Sequence, residues 1–227
     1  MRNAECGRVR NMTDYRFEIH DETLLLLPER AVYWPRTGTL FIADPHLGKS
    51  ATLRAHAIPL PEGDMAADLQ RLSQAVRRMQ ANQVIILGDL LHAARGRDAS
   101  VLTTFTAWRA QHRDLRLFLV RGNHDRSAGD PPDDWQIQMV NGPTPGPHFV
   151  LSHEPLTPTM GYALAGHIHP AVQLTGKGRQ SLKLPCFWFG ATCGVLPAFG
   201  DFTGGALIKP HVGDRVFVVT ETQVMAV

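Results

Sequence analysis

An α/β fold is what this 227-residue sequence predicts. The first half alternates short apolar runs with amphipathic stretches in the order β-α-β-α-β. The second half drops the helical period for strand-like runs cut by Gly/Pro turns. Small clusters of Asp, Asn and His stand directly after several of the apolar runs. Strand–helix–strand alternation implies parallel strands joined by right-handed crossovers. In such sheets, ligand-bearing residues gather beyond the carboxyl ends of the strands.

Residues 1–14 are polar and read as a loosely ordered tail ahead of one domain over 15–227. Residues 24–27 and 31–34 read as short strands broken at Pro28. The run 39–43 is a strand of the buried type that delivers Asp44 and His46 at its end. Pro59-Leu60-Pro61 marks a turn. Asp64 can cap a helix to about residue 80, with Met65, Leu69, Leu72, Val76 and Met79 as its apolar stripe. Residues 84–87 form the next strand, ending at Gly88-Asp89. Residues 98–112 suit a second helix, and 115–120 a third central strand ending in Gly122-Asn123-His124. Beyond the loop 130–134, the runs 149–152, 162–165, 171–175, 182–189, 206–209 and 216–220 are strand-like. There is no internal repeat and no low-complexity linker.

Bulk properties exclude some classes. With 44% hydrophobic and 19% charged residues the chain is globular and not disordered. A net charge of +2 does not by itself argue for nucleic acid. The three cysteines, Cys6, Cys186 and Cys193, are odd in number and lack small-scaffold spacing, which suits a reducing compartment. Cys186 and Cys193 lack the CxxC spacing of a zinc site and read as buried thiols. Residues 1–13 carry no apolar core for export, and no apolar run approaches the roughly 20 residues that span a bilayer. The expectation is a cytoplasmic protein with no membrane partner.

Five clusters carry chemistry: Asp44-Pro45-His46, Gly88-Asp89, Gly122-Asn123-His124-Asp125, Ser152-His153-Glu154 and Gly166-His167-Ile168-His169. Five of the eleven histidines fall in them, so they concentrate ligands well beyond composition. A lone Gly-Asp after a strand is ordinarily a turn, and a lone Ser-His-Glu ordinarily surface; the ordered combination is what is specific. A mixed oxygen and imidazole set without cysteine disfavours a structural thiolate zinc site. It suits a pair of divalent ions: manganese, iron or a mixed pair. Such a pair neutralises a phosphodiester, generates a nucleophile near neutral pH and stabilises the leaving oxygen.

The set Asp44-x-His46, Gly88-Asp89, Gly122-Asn123-His124, His153 and Gly166-His167-x-His169 resembles the calcineurin-like metallophosphoesterases. That resemblance implies a two-sheet β-sandwich flanked by helices, with a dinuclear centre at the strand C-terminal ends. It implies Asp44, His46, Asp89 and His169 around a first metal, and Asp89, Asn123, His153 and His167 around a second, with Asp89 shared. His124 becomes the general acid or charge stabiliser, and Asp125 its orienting partner. Within the superfamily, Ala31-Val32-Tyr33-Trp34-Pro35, Ala43–Lys49 around the first cluster, Ile58-Pro59-Leu60-Pro61, Leu87–His92, Leu184-Pro185-Cys186-Phe187-Trp188 and Leu196-Pro197-Ala198-Phe199-Gly200 resemble the bacterial DNA ligase-associated branch. Ala57 stands where that branch often has glycine. The branch implies a manganese-dependent DNA endonuclease (iron or zinc being alternatives) in repair, partnered by a ligase, a helicase and an exonuclease. His92, three residues after Asp89, is similar to a histidine beside the substrate phosphate in the superfamily's double-strand-break nucleases; a solvent-facing helix-start residue is the plain alternative.

Lys49, Arg54, Arg95, Arg97 and Arg126 follow the clusters and are the candidates for DNA phosphates. Arg77, Arg78, Arg109 and Arg113 read as exposed helix faces, and Trp34, Trp135 and Trp188 as packing residues. A small-molecule phosphoesterase is the alternative activity. A scaffold on the same fold is disfavoured, because such proteins lose a ligand or the His124-type residue and this chain keeps both.

Overall fold

Successive residues of a strand point to opposite faces, and the central strands of this protein use that to feed two separate cores. In the computed structural model, which describes residues 12–55, 64–93, 98–176 and 180–227, Leu40 and Ile42 enter one core while Phe41 and Ala43 enter the other. Val84, Ile86, Leu117 and Leu119 side with Leu40, and Leu87 and Val120 with Phe41. Strands buried on both faces must be apolar throughout, which is why these segments read as continuous runs.

The first sheet holds seven strands in chain order. They are β1 (Tyr15–Ile19), β2 (Glu22–Leu27), β3 (Ala31–Trp34), β4 (Thr39–Ile42), β5 (Gln83–Leu87), β6 (Arg116–Val120) and β7 (Ile137–Val140). β1 to β4 form an antiparallel meander, and β4 to β7 run parallel. The parallel part follows from its crossovers. These are α1 (Lys49–Ala55) and α2 (Asp64–Met79) before β5, α3 (Ala99–Gln111) before β6, and α4 (Asn123–Ala128) before β7. The Asp98 side chain caps α3, accepting from the Val101 N–H at 2.9 Å. Leu69, Leu72 and Val76 of α2 and Phe105 and Trp108 of α3 cover one face of the sheet.

The second sheet comprises β8 (Thr144–Pro145), β9 (Phe149–Leu151), β10 (Tyr162–Ala165), β11 (Pro170–Thr175), β12 (Ser181–Phe189), β13 (Cys193–Val195), β14 (Ala206–Leu207), β15 (Arg215–Val219) and β16 (Val224–Ala226). Its order is β14-β11-β12-β13-β10-β9-β8, with β15 joined to β12 and β16 to β15. β9, β10 and β13 are mutually parallel. Phe17, Leu26, Trp34 and Phe41 of the first sheet pack against Phe149, Leu164, Phe187 and Phe189 of the second. The ring centroids of Phe17 and Phe189 lie 4.3 Å apart. The architecture is the expected two-sheet sandwich flanked by helices. Phe187 is fully buried in it, so Phe187→Ala should cost about 3–5 kcal/mol in urea unfolding.

Several features differ from the sequence expectation. The short elements α1 and α4 do not span enough residues for a helical period to show, and β1, β7, β8, β13 and β16 are likewise short or on edges. In the polar segment 1–14, Thr13 pairs with Gln223 and Asp14 binds Arg78 at 2.6 Å; residues 1–11, with Cys6, lie outside the described residues, as does the Pro59 turn. Arg78 is not a plain exposed face, because it also binds the buried Glu29 at 2.7 Å. Arg109 is buried and donates to the Trp135 carbonyl. Cys186 is buried and Cys193 half-buried, and both are free thiols. No helix among the described residues is long and apolar enough to cross a membrane.

Candidate metal centre

Because β4, β5 and β6 are parallel neighbours, their carboxyl ends lie side by side. The second sheet brings the ends of β9 and β10 to the same rim. Asp44 and His46 follow β4, Asp89 follows β5, Asn123 and His124 follow β6, His153 follows β9, and His167 and His169 follow β10. Backbone bonds lock these turns together: Asp44 N–H to the Gly88 carbonyl at 3.2 Å, His46 N–H to that of Asp89 at 2.9 Å, and Gly166 N–H to that of His153 at 2.9 Å.

The turns are strained. Asp44, His46, Asp89, His167 and His169 all have positive φ, between 47° and 68°. Such left-handed conformations cost on the order of 1–3 kcal/mol each and persist only where surrounding structure imposes them. Two glycines of the motifs make the close approach possible. A Cβ on Gly88 (φ +85°) would stand 2.0 Å from His153 Nδ1, and one on Gly122 would stand 2.1 Å from Asp89 Oδ1.

The donor atoms converge in a way that calls for a cation. His153 Nδ1 lies 3.1 Å from the Leu87 carbonyl oxygen. A carbonyl only accepts, so Nδ1 is the donor there and the Nε2 edge is turned into the site. That atom faces Asn123 Oδ1 at 2.9 Å, His167 Nδ1 at 3.0 Å and Asp89 Oδ2 at 3.5 Å. Across the site, Asp44 Oδ1 faces His169 Nε2 at 3.5 Å, and both atoms are buried with no hydrogen-bond partner among the described residues. His46 Nε2 is 3.7 Å from Asp89 Oδ2. Buried acceptors aimed at one another are costly unless a positive charge stands between them. Separations of 2.9–3.7 Å suit neighbouring ligands each about 2.0–2.2 Å from a shared ion. Among the described residues three groups result, Asp44/His46/His169, Asp89/His153/His167 and His46/His92/His124. Asp89 Oδ2 reaches toward both groups that contain a carboxylate.

Each carboxylate is aimed by a backbone amide. Asp89 Oδ1 accepts from the His124 N–H at 2.9 Å, and Asp44 Oδ2 from the His167 N–H at 2.7 Å, which leaves the other oxygen of each for the site. Burial, helped by Lys49 and neighbouring histidines, pushes His46 down to about 2. Burial likewise lowers His92 to about 4 and raises Asp89. Neutral imidazoles with free lone pairs are the form that binds metal. The set therefore fits divalent metal ions.

His124 Nδ1 stands 2.7 Å from the His92 carbonyl and must be its donor, so Nε2 is not used in that bond. The His92 ring stacks on that of His124 with centroids 5.0 Å apart, and its Nδ1 lies 3.4 Å from His46 Nδ1. Asp125 is a correction: it does not orient His124. Its carboxylate turns inward and accepts from the backbone N–H groups of Asp89 at 2.8 Å, Leu91 at 3.2 Å and Gly122 at 2.9 Å. It stands at the third position of α4, where a side chain folds back onto the helix start, and so it holds the β5 and β6 turns in place. Asp125→Ala strands buried amides, each worth about 1–3 kcal/mol. It should therefore lower the urea midpoint markedly and weaken manganese binding together.

Lys49 is half-buried and donates to the Thr203 carbonyl at 3.3 Å. Arg126 is exposed on a cleft beside Asn123 and His153. The Arg54 side chain, Arg95 and Arg97 lie outside the described residues. Sequence reasoning passed over Arg121, which lines the same cleft as Arg126; its place directly before Gly122-Asn123 was the available signal. It also treated residues 196–200 only as a family marker. Here the Phe199 N–H binds the Ala43 carbonyl at 2.7 Å, and so buttresses the turn that carries Asp44.

The family model for calcineurin-like phosphoesterases matches residues 38–169. Among solved structures, the nuclease MPE of Pseudomonas putida is similar at a TM-score of 0.84 and 38% identity, over 95% of this chain and 100% of that one. The E. coli phosphoesterase Yfce gives a TM-score of 0.39 at 14% identity, over 80% of this chain and 87% of its own. No curated protein matches the sequence.

Proposed function

The chain belongs to the calcineurin-like phosphoesterase family and is a metal-dependent phosphoesterase; from that premise we propose that its substrate is a phosphodiester of DNA, cut internally with manganese as the preferred ion. The observation that carries the metal assignment is the meeting of His153 Nε2 with Asn123 Oδ1 and Asp89 Oδ2. Support for the nucleic-acid substrate comes from the 38% identity to a protein described as a nuclease. A role in repair beside a ligase, a helicase and an exonuclease belongs to the same proposal and rests on the branch resemblance.

In this reading Asp44, His46, Asp89 and His169 hold one ion, and Asp89, Asn123, His153 and His167 the other. When bound, such a pair neutralises phosphate charge and lowers the pKa of water. The remaining work falls to side chains. His124, its Nδ1 proton held by the His92 carbonyl, would when doubly protonated give its Nε2 proton to the leaving oxygen and be left neutral. His92, stacked on His124, lines the same wall and faces the phosphate.

The test is manganese-dependent cleavage of closed circular single-stranded DNA, with Asp89→Ala protein as the control for contaminating nuclease. A circle has no ends, so cutting by the wild type alone means endonuclease action at this centre. Hydrolysis of a chromogenic phosphodiester without cutting would shift the substrate to a small molecule.

A further inference from the structure

Resting on the reading that the substrate is a polynucleotide, we propose that the cleft beside Asn123 and His153 is a subsite for the phosphate next to the scissile one, anchored by Arg121 and opposed by Glu154. The cleft encloses about 260 Å³, and Asn123 and His153 form part of its lining. Because those two residues also belong to the candidate metal centre, the cleft opens directly from it.

Arg121 directly follows β6, and its backbone N–H binds the Val140 carbonyl at 3.0 Å. Its side chain is tied down as well. Nη2 meets both carboxylate oxygens of Asp130, at 2.8 and 2.9 Å. With the Asp130 side chain 54% exposed, that pair adds little to stability. What it does is hold a side chain with many rotamers in one place, so that less entropy is lost when the guanidinium takes a ligand. Among the described residues no side-chain bond takes Nη1 or Nε, so each keeps an N–H for a phosphate oxygen. Arg126 adds a second positive charge on the same cleft.

Glu154 lines the cleft too. A carboxylate there repels a phosphate, so it weakens the grip on nucleic acid and has no role for a substrate that ends at the reacting phosphate. Arg121 and Glu154 therefore act with opposite signs on one property, the preference for a polymer over a small ester.

The measurement is kcat/KM for a single-stranded dodecanucleotide divided by kcat/KM for bis(p-nitrophenyl) phosphate, both with added manganese. Arg121→Gln should lower this ratio about tenfold, the scale of one lost charged phosphate contact. It should also make the salt dependence of the dodecanucleotide reaction shallower by about 0.7 in log–log slope. Glu154→Gln should raise the ratio about threefold, a gain that misfolding cannot produce. A ratio that neither substitution moves, or that both lower, overturns the subsite and leaves the polynucleotide reading intact. A wild type that hydrolyses the ester and never the dodecanucleotide overturns both.

Discussion

Asp89→Asn is expected to abolish phosphoester hydrolysis and, at the same time, to make the metal-free protein more stable at neutral pH. Both effects follow from where the carboxylate sits. Asp89 is 2% exposed, with Oδ2 at 3.7 Å from His46 Nε2 and 3.5 Å from His153 Nε2. It is the carboxylate that reaches toward both carboxylate-containing ligand groups, so neither ion keeps its full anionic set without it. Without metal the same group is a burden: burial raises its pKa, and the nearby Asp44 adds to that. A group whose folded pKa lies above its unfolded one gives up stability as pH rises through the folded value. The charged form therefore weighs against the apo fold at neutral pH, and asparagine removes the charge while its Oδ1 still accepts from the His124 N–H. Manganese should raise the unfolding temperature of the wild type, since a ligand at about 100 times its Kd contributes about 2.7 kcal/mol. The same addition should leave Asp89→Asn nearly unmoved. Equal stabilisation of both proteins by manganese would sink the assignment of Asp89 as the shared ligand.

His124→Ala is expected to cut kcat by about 10²–10⁴-fold, the range for general acid–base catalysis, with manganese still bound. The ring hangs from the His92 carbonyl by Nδ1, and His124 stands in the all-histidine group His46/His92/His124, apart from the two groups that contain a carboxylate. Thermal unfolding with and without manganese separates the roles. A catalytic His124 leaves the metal-induced shift intact in the variant. Loss of that shift would reassign His124 as a ligand. His92→Ala is the informative companion, because it keeps the carbonyl that orients His124 and removes only the stacked ring.

Much of this is legible in the sequence. Polar ligands set directly after apolar runs are visible because a parallel strand buried on both faces has no other place to carry them. Asp98 at the start of α3 announces itself by capping chemistry that is local in sequence. The seven ligand candidates and His124 came from residue type and order together with the family resemblance. Where the chain's own periodicity was too short to register, as in α1 and α4, local reading found nothing.

Asp125 shows where sequence order stops informing. Its neighbour in sequence is His124, yet two of its three partners are amides 34 and 36 residues away, because the first turn of α4 points it inward. Arg121 looked like any charge after a strand until the turns after β7 and β9 built a cleft around it. The sequence alone determined which atoms can bind a metal and at which strand ends they stand, since both depend on local chemistry and a period of two. Only the tertiary structure decided which donor atoms face one another and which arginines line the cleft, because those depend on strands far apart in the chain being brought to one rim.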